Sequence, residues 1–225
     1  MGGLGYRTLV YVHLLLFVLW LGADFGVFLL GQHFRKRTRW SLDQRVALLQ
    51  LLVIIDMGPR TAWALMVPVS LSLASAAGLL AAPPALVVAA WALGLFWLWL
   101  VWEGHLHERT PRAARAKRIE EPIKWAIMLF YLGLGGWSLV AGEPLLAGWL
   151  AWKAVLFGLI FAAAIMIDVA FKPVGPQLMA LLSEGSSDAT ELPLRRTMDR
   201  TRLWVMLVYA LLFATSWLGV AKPGA

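Results

Sequence analysis

Long apolar stretches separated by short polar connections constrain the fold of this chain most. A run of about 18 or more apolar residues matches the thickness of a bilayer. The chain is 60% hydrophobic and only 15% charged. It therefore predicts an all-α protein, a polytopic transmembrane helical bundle in a lipid bilayer, with residues 1–225 as a single transmembrane domain. The six predicted spans cover about residues 9–31, 60–82, 85–103, 123–142, 146–170 and 202–221.

The basic residues are concentrated in three of the polar segments. Most of the 20 Lys and Arg lie within residues 35–45, 109–124 and 172–202, whereas the connections "LAAPPAL" and "AGEPLLAG" contain neither. Basic loops stay on the cytoplasmic side of a membrane. The pattern predicts an N-out, C-out topology in the cytoplasmic (inner) membrane of a bacterium. Topology and contact with anionic lipid account for the net charge of +7, so no nucleic acid is expected as a partner.

Two connecting segments are predicted to have distinct structures. In "SLDQRVALLQLLVIIDM", Ser41 and Gln44 have the spacing of a capping box. Gly58-Pro59 then interrupts the apolar run, because proline lacks a backbone donor and clashes with the preceding turn. We expect either an interfacial helix over about residues 41–57 or the start of a kinked second span. The small, polar segment "LLSEGSSDATELPL" is expected to be a flexible connection.

The first span carries ionisable residues that require an explanation. Each helical residue advances about 100°, so His13, Trp20 and Asp24 fall within about 20° of one line. A charge at the centre of a span costs about 2.5–3.5 kcal/mol on insertion scales, so each group needs a partner, a ligand or nearby water. Gly22 and Gly26 form a G-x-x-x-G pair, which either permits a close helix approach or reflects ordinary packing.

The fifth span contains a lysine at a depth similar to that of His13. Lys153 either extends its ammonium group out to water or shares an outward site with His13. Glu143, in the adjoining loop, is a candidate third member of that site.

The motifs of these two spans resemble one group of membrane proteins. His13 and Trp20 in "HLLLFVLWLG", with Trp149, Leu150 and Lys153 in "GWLAWK", resemble the CopD-like proteins and the related HemJ-type protoporphyrinogen oxidases. The resemblance covers parts of two helices. It implies haem b as a cofactor, with His13 and Lys153 as functional residues, and CopD members are associated with copper uptake or resistance. The chain has no cysteine, so a C-x-x-C-H motif and covalent haem attachment are excluded.

A second polar group lies at the expected cytoplasmic ends of the spans. Glu103 and His107 are four residues apart, which places them on one helical face and suits a metal. Alternatively these are solvated loop residues, Asp56 pairs with Arg60, and Asp168 pairs with Lys172. The candidate metal ligands of the whole chain are His13, Asp24, His33, Asp56, Glu103, His107 and Asp168, with His105 nearby.

Three functions are compatible with this pattern. The first is a haem-binding redox protein, in which His13 ligates the iron, Lys153 assists and Trp20 walls the pocket; whether it is an enzyme stays open. The second is a transporter of copper or another divalent metal ion, in which His13, Asp24 and Lys153 line an outward vestibule. The third is a non-catalytic subunit of a membrane complex. A redox partner, other membrane subunits or a second copy of the chain are the corresponding partners.

Overall fold

The protein is an all-α bundle. The computed structural model describes residues 3–224, in which the chain is 85% helical and contains no strand. Its seven helices are α1 (Leu4–Phe34), α2 (Leu42–Ala76), α3 (Pro84–Leu106), α4 (Pro111–Ala141), α5 (Gly148–Phe171), α6 (Val174–Glu184) and α7 (Asp188–Ala221). All except the short α6 are long and apolar enough to cross a membrane. The predicted bundle of six spans is confirmed, while the N-out, C-out topology stays a prediction.

The bundle has two chemically different ends. One end carries the Lys- and Arg-rich connections and is called the basic end; it contains residues 35–41, 107–110 and 172–187. The opposite end carries the α2–α3 and α4–α5 connections, the start of α1 and the end of α7. There an isolated antiparallel bridge joins Leu80 to Leu145 and ties the two connections together.

Several helices extend beyond the predicted spans at the basic end. α4 and α7 contain 31 and 34 residues, about 46–51 Å, whereas the hydrocarbon core is about 30 Å thick.

The flexible connection predicted over 181–194 is wrong. Residues up to Glu184 belong to α6, and α7 begins at Asp188 with a capping box between Ser187 and Thr190. That reciprocal cap satisfies the backbone donors that a polar sequence would otherwise leave to water.

The expected break at Gly58-Pro59 is also wrong. α2 is one helix of 35 residues that starts with the predicted capping box and contains Pro59 in its interior. The alternative interpretation, in which residues 41–57 form the start of the second span, describes the helix that is observed. Packing against α1 explains the continuity: before the proline, Leu52 and Ile55 contact α1, and at the proline Gly58 faces Ala23. Contacts with a neighbouring helix offset the lost hydrogen bond.

The closest helix contacts do not involve the G-x-x-x-G pair of α1. A Cβ at Gly22 would meet nothing within 4 Å, and one at Gly26 would make an ordinary contact at 3.7 Å. At Gly135 of α4, by contrast, a Cβ would lie 2.6 Å from the Ala151 carbonyl oxygen of α5. At Gly158 of α5 it would lie 3.0 Å from a backbone nitrogen of α4. The interface between α4 and α5 therefore depends on glycine, as does that between α2 and α3, where a Cβ on Gly94 would lie 2.8 Å from the Pro68 ring.

The spanning helices follow one another around the bundle in chain order. Each packs on the next, in the order α1, α2, α3, α4, α5 and α7. The ring closes between α1 and α7, whose backbones lie further apart, and we call this boundary the seam. Side chains bridge it: the rings of Phe28 and Tyr209 meet at 6.1 Å, and Arg35 forms a salt bridge with Asp199.

Candidate functional site

A cavity of about 270 Å³ lies inside the half of the bundle that is nearer the basic end. Helices α1, α2, α4, α5, α6 and α7 all contribute to its wall. We call it the carboxylate cavity, after its three acidic side chains. Its charged lining residues are Asp24, Asp56, Arg60, Lys124, Asp168 and Arg202. Three of the carboxylates that the sequence marks as separate candidates therefore face one space.

The first acidic group of the cavity is neutralised within its own helix. Arg60 Nε donates to Asp56 Oδ2 at 2.5 Å, and the two residues are four apart on α2. This is the local pair that the sequence offered as the alternative to a metal ligand.

The second acidic group is shared between two helices. Lys124 Nζ on α4 lies 2.9 Å from Glu120 Oε1 on the same helix and 3.0 Å from Asp168 Oδ2 on α5. Trp97 Nε1 of α3 donates to Glu120 at 3.3 Å, and the Lys124 ammonium lies 5.6 Å from the centre of the Trp63 ring. Asp168 therefore pairs across the bundle with Lys124 rather than with Lys172, and three helices are joined by one polar network.

Asp24 differs from the other carboxylates of the cavity. No Lys, Arg or His nitrogen in residues 3–224 lies within 4.0 Å of its carboxylate, although Asp56 and Arg60 are within electrostatic range. Tyr209 of α7 lies against it, and the Tyr209 hydroxyl donates to the Asp24 backbone carbonyl oxygen at 3.0 Å. Along α1, residue 24 is about 10 Å from the predicted span boundary at residue 31.

A layer of aromatic side chains lies between the cavity and the opposite end. It is built from Trp20, Trp63, Trp97, Tyr131, Phe157 and Phe161, with neighbouring ring centres 4.5–6.3 Å apart. The position of this layer along the bundle follows from the sequence. Its α1 member lies between His13 and Asp24, and its α5 members lie between Lys153 and Asp168. Trp20, which the sequence assigns to a haem pocket, belongs to this layer and also lines the carboxylate cavity.

His13 and Lys153 lie on the other side of the aromatic layer. The two groups are within electrostatic range of each other. Lys153 Nζ lies over α7, 2.6 Å from the position of a Cβ on Gly219. His13 Nδ1 is buried and has no hydrogen-bond partner in the described part of the chain. The predicted proximity of these residues is thus present, about 16 Å along α1 from Asp24.

The remaining candidate ligands lie at the basic end, away from the cavity. His33 Nδ1 donates to the Leu29 carbonyl oxygen at 2.9 Å, and its ring faces Trp40. His107 Nδ1 lies 3.4 Å from a carboxylate oxygen of Glu103, and His105 lies beside Glu108. Across residues 3–224, no three His, Asp or Glu side chains come together as a metal-ligand group.

Three residues of the site are missed by sequence reasoning. Glu120 and Lys124 look like the end of a basic segment, because the predicted span starts only at residue 123. They lie about two and a half and three and a half turns inside α4, which begins at Pro111. Their spacing of four residues was the available signal. Tyr209 has no such signal, since an aromatic residue in an apolar span is ordinary.

No protein-family model, no curated protein and no solved structure matches this chain.

Proposed function

We propose that this protein moves a cation across the membrane and that the Asp24 carboxylate accepts the cation at the inner end of the carboxylate cavity. The observation that carries the proposal is the lack of a cationic partner at Asp24. Asp56 and Asp168 have salt-bridge partners, whereas Asp24 faces the same cavity with none. An ionised carboxylate at this depth is costly, so it requires a proton or another cation from solution.

Of the possible cations, a proton needs the fewest protein groups to bind it. One carboxylate suffices to bind it, whereas a metal ion requires several ligands. The Tyr209 hydroxyl beside Asp24 is a group that can donate or accept a hydrogen bond. Water entering from the basic end would complete a path from the solvent to Asp24.

The aromatic layer is the barrier that must open for a cation to pass from Asp24 to the opposite end. In the proposed cycle a cation reaches Asp24 from the basic end, while His13 and Lys153 lie beyond the layer. We infer that the helices rearrange to open this layer toward the opposite end, as carriers do when they alternate access around a central site. His13 and Lys153 then line the exit toward the opposite end. This path retains the outward vestibule of His13, Asp24 and Lys153 that the sequence suggests for a metal-ion transporter.

The test is a flux measurement on purified protein in sealed liposomes. An imposed potassium diffusion potential drives the cation inward. In one set of liposomes an entrapped pH-sensitive dye reports the entry of protons. In parallel sets copper or zinc ions are added outside, and an entrapped metal-sensitive dye reports their entry. We expect flux well above that of empty liposomes, and a loss of about tenfold or more in Asp24→Asn, which cannot ionise. Asp43→Asn, a matched change at an exposed position on α2, should keep the wild-type flux.

Two results would contradict the proposal. One is the absence of flux for every cation tested in liposomes that contain correctly folded protein. The other is equal flux in the wild type and Asp24→Asn.

We propose haem binding at His13 as a second candidate function, and a specific observation favours it. His13 Nδ1 is a buried ring nitrogen without a hydrogen-bond partner in the described residues, so no protein group there competes with an iron for this ring. The motifs around His13 and Lys153 also resemble CopD-like and HemJ-type proteins. Haem b would supply one-electron redox chemistry there; His13 would hold the iron, and Lys153 would pair with a propionate.

An absorption spectrum tests this candidate. The protein purified from haem-replete cells should have a Soret band that shifts on reduction with dithionite and disappears in His13→Ala. His105→Ala, at the partly exposed basic end, should leave the band unchanged. A colourless wild-type protein would rule out the haem.

A further inference from the structure

A second cavity, of about 560 Å³, opens at the basic end between the start of α7 and the segment that joins α1 to α2. We call it the basic cavity. Cationic side chains dominate its lining: Arg35, Lys36, Arg37, Arg45, Arg195 and Arg202. Only two acidic residues, Asp188 and Glu191, line it as well. The lining of this cavity is therefore net positive by formal charge, whereas the three acidic residues of the carboxylate cavity are matched by Arg60, Lys124 and Arg202.

A buried ion pair fixes the wall of the basic cavity. Arg45 of α2, whose side chain is 1% exposed, donates from Nη1 and Nη2 to the two carboxylate oxygens of Glu191 at 2.6 and 3.0 Å. Its Nε donates to the Phe34 carbonyl oxygen at the end of α1 at 2.6 Å. Ser186 Oγ donates to the same Glu191 carboxylate. The starts of α2 and α7 and the end of α1 are thus held together as a preformed frame.

Several cationic groups of the cavity are not used by this frame. Lys36 and Arg195 have no carboxylate within 4.0 Å in the described residues. Arg35 pairs through Nη2 with Asp199, but its side chain is nine-tenths buried and its Nε is left without a hydrogen-bond partner. A buried guanidinium donor without an acceptor costs free energy unless a ligand satisfies it.

We propose that the basic cavity binds a phosphate group. Guanidinium groups match the geometry of phosphate oxygens and donate to them in pairs. Arg35 contributes its guanidinium group to the cavity wall, while the exposed side chains of Lys36 and Arg195 supply charge at its mouth. The phosphate belongs either to the headgroup of an anionic phospholipid or to a soluble phosphate compound. The proposal does not rest on cation transport, since it uses none of the carboxylates of the other cavity.

Thermal unfolding of the purified full-length chain, followed by tryptophan fluorescence, tests this site in two arms. In a neutral detergent, inorganic phosphate and pyrophosphate are compared with chloride at equal ionic strength. In nanodiscs, phosphatidylcholine alone is compared with phosphatidylcholine containing phosphatidylglycerol. Ligand binding to the folded state raises Tm, and we expect a rise of about 3 °C or more in at least one arm.

The variants separate this site from general charge effects. Lys36→Gln and Arg195→Gln remove charge at the mouth and should abolish most of the rise in Tm. Arg35→Lys keeps the charge but removes the guanidinium group, whose paired donors match phosphate oxygens, and should reduce the rise. Arg115→Gln removes one charge at an exposed position on α4, outside the cavity, and should leave the rise in Tm unchanged.

The two arms identify the source of the phosphate. A rise with phosphate or pyrophosphate in detergent indicates a soluble phosphate compound. A rise confined to the nanodiscs with phosphatidylglycerol indicates a lipid headgroup. The absence of a rise in both arms, or a rise that is equally large in Lys36→Gln, Arg195→Gln and Arg115→Gln, would overturn the proposal. Cation flux through Asp24 is measured separately and is unaffected by that outcome.

Discussion

Arg45 and Glu191 illustrate how single residues stabilise the basic end. Their pair joins α2 to α7 across 146 positions of sequence, and both partners are almost completely removed from solvent. Removing one partner of such a pair leaves an uncompensated buried charge, which costs about 3–5 kcal/mol. We therefore expect Glu191→Gln to lower the thermal unfolding temperature of the purified protein by several degrees. Glu184→Gln, at the exposed end of α6, should have little effect.

The same pair makes stability depend on pH. Glu191 lies in the first turn of α7, ahead of the predicted span at 202–221. Burial alone would raise the pKa of its carboxyl, but the hydrogen bonds from Arg45 and Ser186 and the charge of Arg45 lower the pKa below its ordinary value of 4.5. The stabilisation is therefore present above about pH 4.5 and is lost as the pH falls through the lower, folded-state pKa. The acid-induced fall in unfolding temperature should be smaller in Glu191→Gln than in the wild type; an equal fall would contradict this assignment.

Sequence reasoning found some residues of the site and missed others, for physical reasons. Asp24, Asp56 and Asp168 stand out because each is an ionisable group in or beside an apolar run. Their common cavity could not be predicted, since it depends on the order of the helices around the bundle. Lys124 was missed because a lysine next to a basic loop looks solvated until the helix is known to begin at Pro111.

At the scale of the elements, the interface between α4 and α5 provides the sharpest prediction. Gly135 lies against the α5 backbone, so Gly135→Ala must push the two helices apart. We expect it to destabilise the protein by about 1–3 kcal/mol, measured as a lower thermal unfolding temperature. Gly136→Ala is the matched control on the same helix, where an added Cβ meets nothing within 4 Å. It should be neutral or slightly stabilising because alanine favours a helix. Equal losses in both variants would show that the loss does not arise from the close contact between Gly135 and α5.

Hydropathy predicted the helical elements well and their ends poorly. The six spans follow from apolar length alone, because a bilayer imposes the same requirement on each. The extensions of α4 and α7 beyond the predicted spans are polar, so composition does not distinguish them from loops. Pro59 was misread for a different reason: its cost as a helix breaker is offset by contacts with α1, which no local pattern reveals.

For the whole molecule, the seam between α1 and α7 is the boundary at which we expect movement during transport. Gly31 and Met198 face each other across it: a Cβ on Gly31 would lie 3.9 Å from Met198 Cε. The chain contains no cysteine, so a Gly31→Cys/Met198→Cys variant can be cross-linked at this pair alone. We expect a short thiol cross-linker to abolish cation flux in liposomes and a reductant to restore it. Each single-cysteine variant, treated in the same way, should retain its flux; unchanged flux in the cross-linked pair would place the movement elsewhere.

The positions of the ion pairs also affect how the chain enters the membrane during synthesis. Asp56 with Arg60, and Glu120 with Lys124, are each four residues apart in one helix. Each pair can therefore form as soon as its own helix does, and the helix crosses into lipid with its charges already matched. Asp168 has Lys172 four residues later, just past the end of α5. Lys172 can serve as its temporary partner until α5 packs against α4 and Asp168 pairs with Lys124. Asp24 has no cation within one turn on α1, so we expect this first helix to insert with Asp24 as the neutral acid, loaded with a proton before the rest of the bundle exists.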